Sequence, residues 1–212
     1  MPPTLATTPS TARRSQAERR DESQRSLVEA TLAVVADRGV SAATFDEIGR
    51  AAGYSRGLAT QKFGSKRGLI EAVIDYLHQQ REAMLEAAHV ADMSGLEAIA
   101  HYIDSHLASL DAERGGRAYF MLLAAAVADR SALREAFADE HDRVRDWLEQ
   151  RFRQGQSAGD IRPDIDPYGG AMMVGGLLLG LSLQSLVDPD TDLKVIRAAS
   201  VAAMRRSFAT TP

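Results

Sequence analysis

The sequence predicts an all-α fold, on three observations. Apolar residues recur at three- and four-residue spacing along most of the chain. No segment alternates apolar and polar residues as a half-buried strand does. Ser, Thr and Asp caps, with Gly stops, divide the periodic stretches into about nine helices.

The elements follow in chain order. Residues 1–20 are rich in Pro, Thr, Ser and Ala, and include Arg13, Arg14, Arg19 and Arg20. Such a composition builds no core and reads as a disordered basic arm. The first helix is expected from Asp21 to Arg38, with Leu27, Thr31, Val34 and Val35 on one face and Gly39 as its stop. Thr44 caps the second, and Glu47 three residues later suggests a capping box. Phe45, Ile48 and Ala52 give that helix a buried face, and Gly53 ends it in the left-handed conformation that Gly adopts without steric cost. Ser55 caps a third helix to about Phe63. Gly64 closes it, and Ser65 caps the next.

Two short helices joined by a Gly-containing turn make a helix-turn-helix, whose second helix enters the DNA major groove through its N-terminal residues. Those residues here are Arg56, Gly57, Leu58, Thr60 and Gln61. Arg donates two bonds to guanine, Gln pairs bidentately with adenine, and an apolar side chain meets the thymine methyl. Gly57 allows close approach of backbone and phosphate. Lys62 and Lys66 are placed to neutralise phosphates, and the helix starts capped by Thr44, Ser55 and Ser65 offer free N–H groups to the same anions. The segment Gly53-Tyr54-Ser55-Arg56-Gly57 also matches the G-x-S-x-G elbow of hydrolases. That elbow requires a preceding strand, and the residues before it are helical in period.

At these residues the chain resembles the TetR family of bacterial transcription regulators. The resemblance runs from near Gln24 through Ala36-Asp37-Arg38-Gly39, Thr44, Ile48, Ala51 to Gly53 and Ser55-Arg56-Gly57, then to Phe63-Gly64-Ser65-Lys66 and Leu69. It implies a dimer that binds a palindromic operator and responds to a small molecule. Thr60 stands where the family usually carries an aromatic residue, and Lys62 where it often has His or Tyr, so no operator sequence carries over.

A long helix is expected from Lys66 to about His89, with a stripe from Leu69 to Leu85, linking the two halves of the chain. Ser94 caps the next helix, and Gly115-Gly116 is read as a break. The apolar run Ala118 to Ala128 predicts a helix covered on all sides. Ser131 caps another, carrying Phe137, Leu148 and Phe152. Gly155 to Pro167 reads as a polar turn containing Gly159-Asp160-Ile161-Arg162-Pro163-Asp164, a pattern that also looks like TetR-family C-terminal domains. Tyr168 to Val187 is uncharged and long enough to span a bilayer. Acidic residues flank it with no Lys or Arg excess on either side, which argues against a membrane role. A helix from Asp192 to about Phe208 provides a matching face, and two such helices from each of two subunits form a four-helix interface, as in the family. Its expected residues are Met172, Gly176, Leu179, Gly180, Leu183, Ile196, Ala199 and Ala203.

Charge divides the chain. Residues 1–66 hold 10 Lys/Arg against 7 Asp/Glu, and the rest holds 15 against 22. The nucleic-acid surface therefore belongs at the front, and an acidic region with another task follows. There is no Cys, which suits a reducing cytoplasm, and no apolar leader marks secretion. No H-E-x-x-H, phosphate loop or dinucleotide fingerprint is present, so neither metal, cofactor nor catalytic residue is expected.

The reading is three regions: an arm (1–20), a DNA-binding domain (21–66) and a ligand-binding and dimerisation domain (67–209). The effector is expected to be small and apolar or amphipathic. Met84, Tyr102, Phe120, Met121, Phe137, Trp147 and Met173 are its candidate neighbours, with Tyr102, His106 and His141 as polar groups. The alternative is a helical protein-interaction module that carries a DNA-binding domain and senses no small molecule.

Overall fold

A computed structural model of the protein describes residues 16–112, 114–129 and 133–210. Those residues form nine α-helices: α1 (Gln16–Arg38), α2 (Phe45–Ala51), α3 (Arg56–Phe63), α4 (Lys66–Ala87), α5 (Gly95–Ala112), α6 (Arg114–Ala128), α7 (Leu133–Ala158), α8 (Pro167–Val187) and α9 (Leu193–Phe208). Short 3₁₀ turns, Val40–Ala42 and Val90–Asp92, join α1 to α2 and α4 to α5. No strand forms among the described residues beyond an isolated bridge between Ile161 and Ala209.

Helices α1 to α3 close around a small core of Leu27, Val35, Ile48 and Ala59, to which α4 adds Leu69 and Ile70. Helix α1 begins before the expected Asp21, so residues 16–20 are helical rather than part of an arm. Glu18 in the first turn favours this start, because a negative charge offsets the helix dipole there. Residues 1–15, including Arg13 and Arg14, and the Ser131 cap lie outside the described residues.

The remaining helices form a second, larger body. Helix α5 lies at its centre, packed against α7, α8 and α9, while α6 packs against α1. Gly115 and Gly116 do not break the chain. They lie in the first turn of α6, where a Cβ on Gly115 would sit 3.1 Å from Leu77 and one on Gly116 3.3 Å from Leu110. These glycines serve close packing, which a breaker reading of the dipeptide overlooks. Helix α6 is also not covered all round: Ala124 and Val127 face outward. Helix α7 runs on through Gly155, where the α5 start crosses it. A Cβ at Gly95 would fall 2.4 Å from the Gly155 nitrogen.

The Gly159–Asp164 turn ties the body together. Gly159 has φ +82°, a conformation that other residues adopt at a cost. Asp160 accepts from the Leu96 N–H at the start of α5 (3.1 Å), Ile161 is buried, and the Arg162 N–H donates to the Phe208 carbonyl of α9 (2.9 Å). Three helix ends are thereby fixed by one turn.

Candidate functional site

At the front of the molecule, three caps set the geometry. Thr44 Oγ1 accepts from the Glu47 N–H (3.2 Å), Ser55 Oγ from Leu58 (3.2 Å) and Ser65 Oγ from Gly68 (3.1 Å). The expected capping box is half formed. The Glu47 carboxylate turns to Arg50 and Arg38 instead of the Thr44 N–H, and the Arg50 hydrogen bond lowers its pKa. A guanidinium is a stronger partner than an amide N–H. Two glycines that motif reading passed over allow the helices to meet. A Cβ at Gly49 would lie 3.0 Å from the backbone of Tyr54 and Ser55, and one at Gly68 2.3 Å from the Phe63 carbonyl.

Helix α3 buries Ala59 fully and exposes Arg56, Gly57, Thr60 and Gln61 along one face. Thr44, Ser55 and Lys66 are exposed beside it, and Leu58 is half-buried. Lys62, expected at a phosphate, has a partner within the protein. Its Nζ donates to the Arg20 carbonyl (2.5 Å), docking the end of α3 on α1. Burial, with a smaller contribution from Arg20, lowers its pKa. The early start of α1 is what supplies that carbonyl.

Behind this face, α4 runs for 22 residues, about 33 Å at 1.5 Å per residue. Its far half, from Ile74 to Met84, forms one wall of a cavity of about 550 Å³. Helices α5, α6, α7 and α8 supply the other walls. Of the residues expected at a ligand site, Met84, Tyr102, His106, Phe120 and His141 line this cavity. Met121, Phe137, Trp147 and Met173 do not. Phe137 is core, edge-on to Tyr119 at 5.2 Å. Trp147 lies behind Tyr102 (5.2 Å) with the Arg151 guanidinium 5.4 Å from its ring. Met173 points outward from α8, and Met121 packs on the core. Helical periodicity identifies an inward face but not which inward residues border a void.

A buried charge cluster in the wall escaped the sequence reading. Glu140 is 3% exposed and accepts from Arg81 Nη1 (2.5 Å) and Arg143 Nε (2.9 Å). Arg81 Nη2 donates to His78 Nδ1 (2.6 Å), which leaves His78 Nε2 to donate to Glu82 (3.1 Å). The i, i+3 spacing of His78 and Arg81 on α4 is a sequence signal, but Glu140 is 59 residues from Arg81. Burial lowers the His106 pKa to about 4, with Arg81 adding to the effect. Burial is also the main cause of the raised pKa values of Tyr102 and Tyr119 and the lowered value of His141. Among the described residues no group of three His, Asp or Glu is placed to hold a metal ion.

On the outside of the body, α8 exposes Tyr168, Met172, Met173, Gly176, Gly180, Leu183 and Val187 as a helical stripe. A Cβ on Gly176 or Gly180 meets nothing within 4 Å. On α9, Val195, Ala199 and Ala203 are exposed, and Ile196 is half-covered, as is Leu179 on α8. Tyr168, Met172 and Gly176 of this stripe, together with Leu179, also border the cavity, so the cavity and the stripe meet along one edge of α8. Helix α8 is long and apolar enough to cross a membrane, by length and composition alone.

A helix-turn-helix with an open second helix, coupled by one long helix to a hollow helical body, defines a DNA-binding regulator. The chain belongs to the TetR family of bacterial regulatory proteins: residues 27–73 match that family's DNA-binding model, and residues 95–209 match the C-terminal domain of BetI-type transcriptional repressors. It is 24% identical over 188 residues to the transcriptional regulator SrpR of Pseudomonas putida, covering 89% of this chain and 86% of that protein. Its fold matches SmeT of Stenotrophomonas maltophilia, solved with triclosan (TM-score 0.74, 21% identity, 89% and 92% of the two chains). It also matches the regulator FadR of Bacillus subtilis, solved with stearoyl-CoA (TM-score 0.71, 17% identity, 85% and 96%). The family is one of transcription regulators and not of enzymes.

Proposed function

We propose that the protein is a dimeric repressor that binds a palindromic operator in the cytoplasm and is released from it by a small apolar or amphipathic effector. The observation that carries this reading is the continuity of α4. It starts at Lys66 beside the exposed face of α3 and reaches the cavity wall through Ile74, Arg81 and Met84. A ligand that favours a different α4 position changes the spacing of two α3 helices, which must lie about 34–36 Å apart, or a multiple of that, on one DNA face. The coupling needed is modest, about 1–3 kcal/mol.

Arg56, Thr60 and Gln61 are the base-reading candidates, Gly57 allows close approach, and Leu58 reaches thymine methyls from the edge of the face. Lys66, Thr44 and Ser55 grip phosphates, while Lys62 supports the domain from behind. The outer stripe of α8 and α9 is assigned to the second subunit. Its glycines leave room for a facing helix, and no basic belt accompanies α8 as a lipid-facing span requires. Proteins of this fold solved with triclosan and with stearoyl-CoA support the assignment of the cavity to an effector.

The test is a DNA mobility assay with the region upstream of the protein's own gene, repeated in the presence of compounds that raise its melting temperature. A shifted complex that such compounds dissolve supports the reading. A complex that no bound compound alters supports a DNA-binding interaction module instead.

A further inference from the structure

The polar groups of the cavity wall have unequal hydrogen-bonding capacity left. Ser182 donates its one hydroxyl proton to the Leu178 carbonyl (2.7 Å). Its oxygen therefore accepts from His106 Nε2 (3.0 Å), which fixes the hydrogen of His106 on that nitrogen. Nδ1 is left with a lone pair, and the ring stays neutral at ordinary pH because burial, aided by Arg81, holds its pKa near 4. The polar side-chain atoms sealed from solvent without a partner are, among the described residues, His101 Nε2, Arg151 Nε and Asp160 Oδ1. His106 Nδ1 is not among them, and His106 lines the cavity. Ser105 and Ser109, its neighbours on the same wall, donate to the carbonyls of His101 (2.8 Å) and His106 (2.7 Å). Helix α5 thus presents three acceptors whose protons are already committed.

The formal charges of the wall are matched. Arg81 pairs with Glu140, and Arg145 with Asp142. An ionic ligand gives up its hydration and meets no uncompensated partner, a costly exchange. Around His106 the surroundings are aromatic: Phe120 lies edge-on at 5.8 Å and Tyr102 at 6.3 Å.

We infer that the cavity selects an uncharged, flat, largely apolar molecule bearing a hydroxyl or N–H donor, and that His106 Nδ1 on α5 accepts that hydrogen. The inference rests on the reading of the cavity as an effector site. A phenol with an apolar tail is the simplest member of the class. The methyl ether of the same compound keeps its shape and removes only the donor. An unmatched buried acceptor is expensive, so the donor is worth about tenfold in affinity.

The test is titration calorimetry of the full-length protein at neutral pH with para-hexylphenol, para-hexylanisole, para-hexylbenzoate and para-hexylbenzylammonium. The phenol is expected to bind about tenfold more tightly than the ether, and both ions more weakly than the phenol. In His106→Phe the ether still binds and the advantage of the phenol disappears. Ser182→Ala, which frees Nε2 and lets the tautomer change, shrinks the same advantage without altering the aromatic wall. Equal affinity for phenol and ether, tightest binding by either ion, no binding by any of the four, or a phenol advantage that survives both variants overturns the inference. Operator release by the ether as effectively as by the phenol leaves the sensor reading standing and removes this one. Selective phenol binding with no operator release does the reverse.

Discussion

The front and the body of this protein are built by opposite rules. From α1 to the start of α4, packing is tight and local. Three hydroxyl caps act within three residues of themselves, and Gly49 and Gly68 let backbones touch. From the middle of α4 onward the helices enclose about 550 Å³ of space and place an ion pair in its wall. A rigid front can present a fixed set of side chains to DNA. A hollow body can exist in two packings whose balance a ligand shifts. Helix α4 belongs to both, and the contrast gains meaning only if it transmits.

The largest expected effect removes the two-fold arrangement proposed for operator binding. Gly180→Arg places a bulky charge on the outer stripe. No atom lies within 4 Å of a Cβ there, so the subunit keeps its fold. Sedimentation should show a monomer at micromolar concentration, and operator affinity should fall by roughly 10²–10⁴-fold as the two half-sites lose their linkage. A monomeric wild-type protein, or a Gly180→Arg protein with normal operator affinity, breaks the assignment of α8 and α9 to the interface.

The next effect lies in the wall. Glu140→Met leaves Arg81 buried without its carboxylate and should cost about 3–5 kcal/mol in denaturant unfolding. Replacing both, Arg81→Met with Glu140→Met, should recover most of the loss, because the two covered charges leave together and the remaining partner of Glu140, Arg143, is half exposed and returns to solvent. An additive double mutant would mean that the pair is not coupled and that the α4–α7 joint lies elsewhere.

A smaller effect separates the roles at the front. Arg56→Ala should cost roughly 1–3 kcal/mol in operator binding and relax the preference at one position of each half-site. Lys66→Ala should weaken all sequences alike and flatten the salt dependence. Lys62→Ala should act through the seating of α3 on α1, lowering thermal stability more than salt dependence. Binding of compounds to the cavity should be unchanged in Arg56→Ala and Lys66→Ala. Sequence-independent losses of equal size from Arg56→Ala and Lys66→Ala contradict base reading by Arg56.

The smallest effect is one of pH. The folded protein holds His106 near pKa 4, against about 6.5 in an unfolded chain. Below pH 6.5 the unfolded state binds the extra proton, so stability falls as pH drops from about 6.5 to about 4, and this contribution is constant above that window. At pH 5.5 the loss from this group is about 1–2 kcal/mol. His106→Asn should flatten that part of the stability profile. An unchanged slope in the variant would place the titrating group elsewhere.

These two regions also differ in how far the sequence reveals them. Thr44, Ser55, Ser65, Gly53 and Gly64 act on neighbours within a turn, so motif spacing locates α2, α3 and the start of α4 to within a residue or two. The exposed face of α3 follows from the same periodicity. The internal partner of Lys62 is not legible, because the Arg20 carbonyl belongs to a helix turn that the arm-like composition of residues 1–20 conceals. In the body, periodicity gave the helices but not the void. Phe137 and Tyr102 both face inward; one is filled against Tyr119 and the other borders open space. That distinction depends on helix separation, which no local pattern encodes. Gly115-Gly116 reads as a break because the need for a small residue comes from Leu77 and Leu110, on other helices. Glu140 looks like a solvent-facing helix residue until α4 is packed against it.

If α4 carries free energy between cavity and operator, the two sites are thermodynamically coupled. The most direct measurement is a closed binding cycle: operator affinity with and without a saturating effector, and effector affinity with and without saturating operator. The same factor is expected in both directions, between about 5- and 150-fold, because coupling is reciprocal. An effector that binds the cavity and raises the melting temperature, yet leaves operator affinity unchanged and binds equally well to the operator-bound protein, would contradict it.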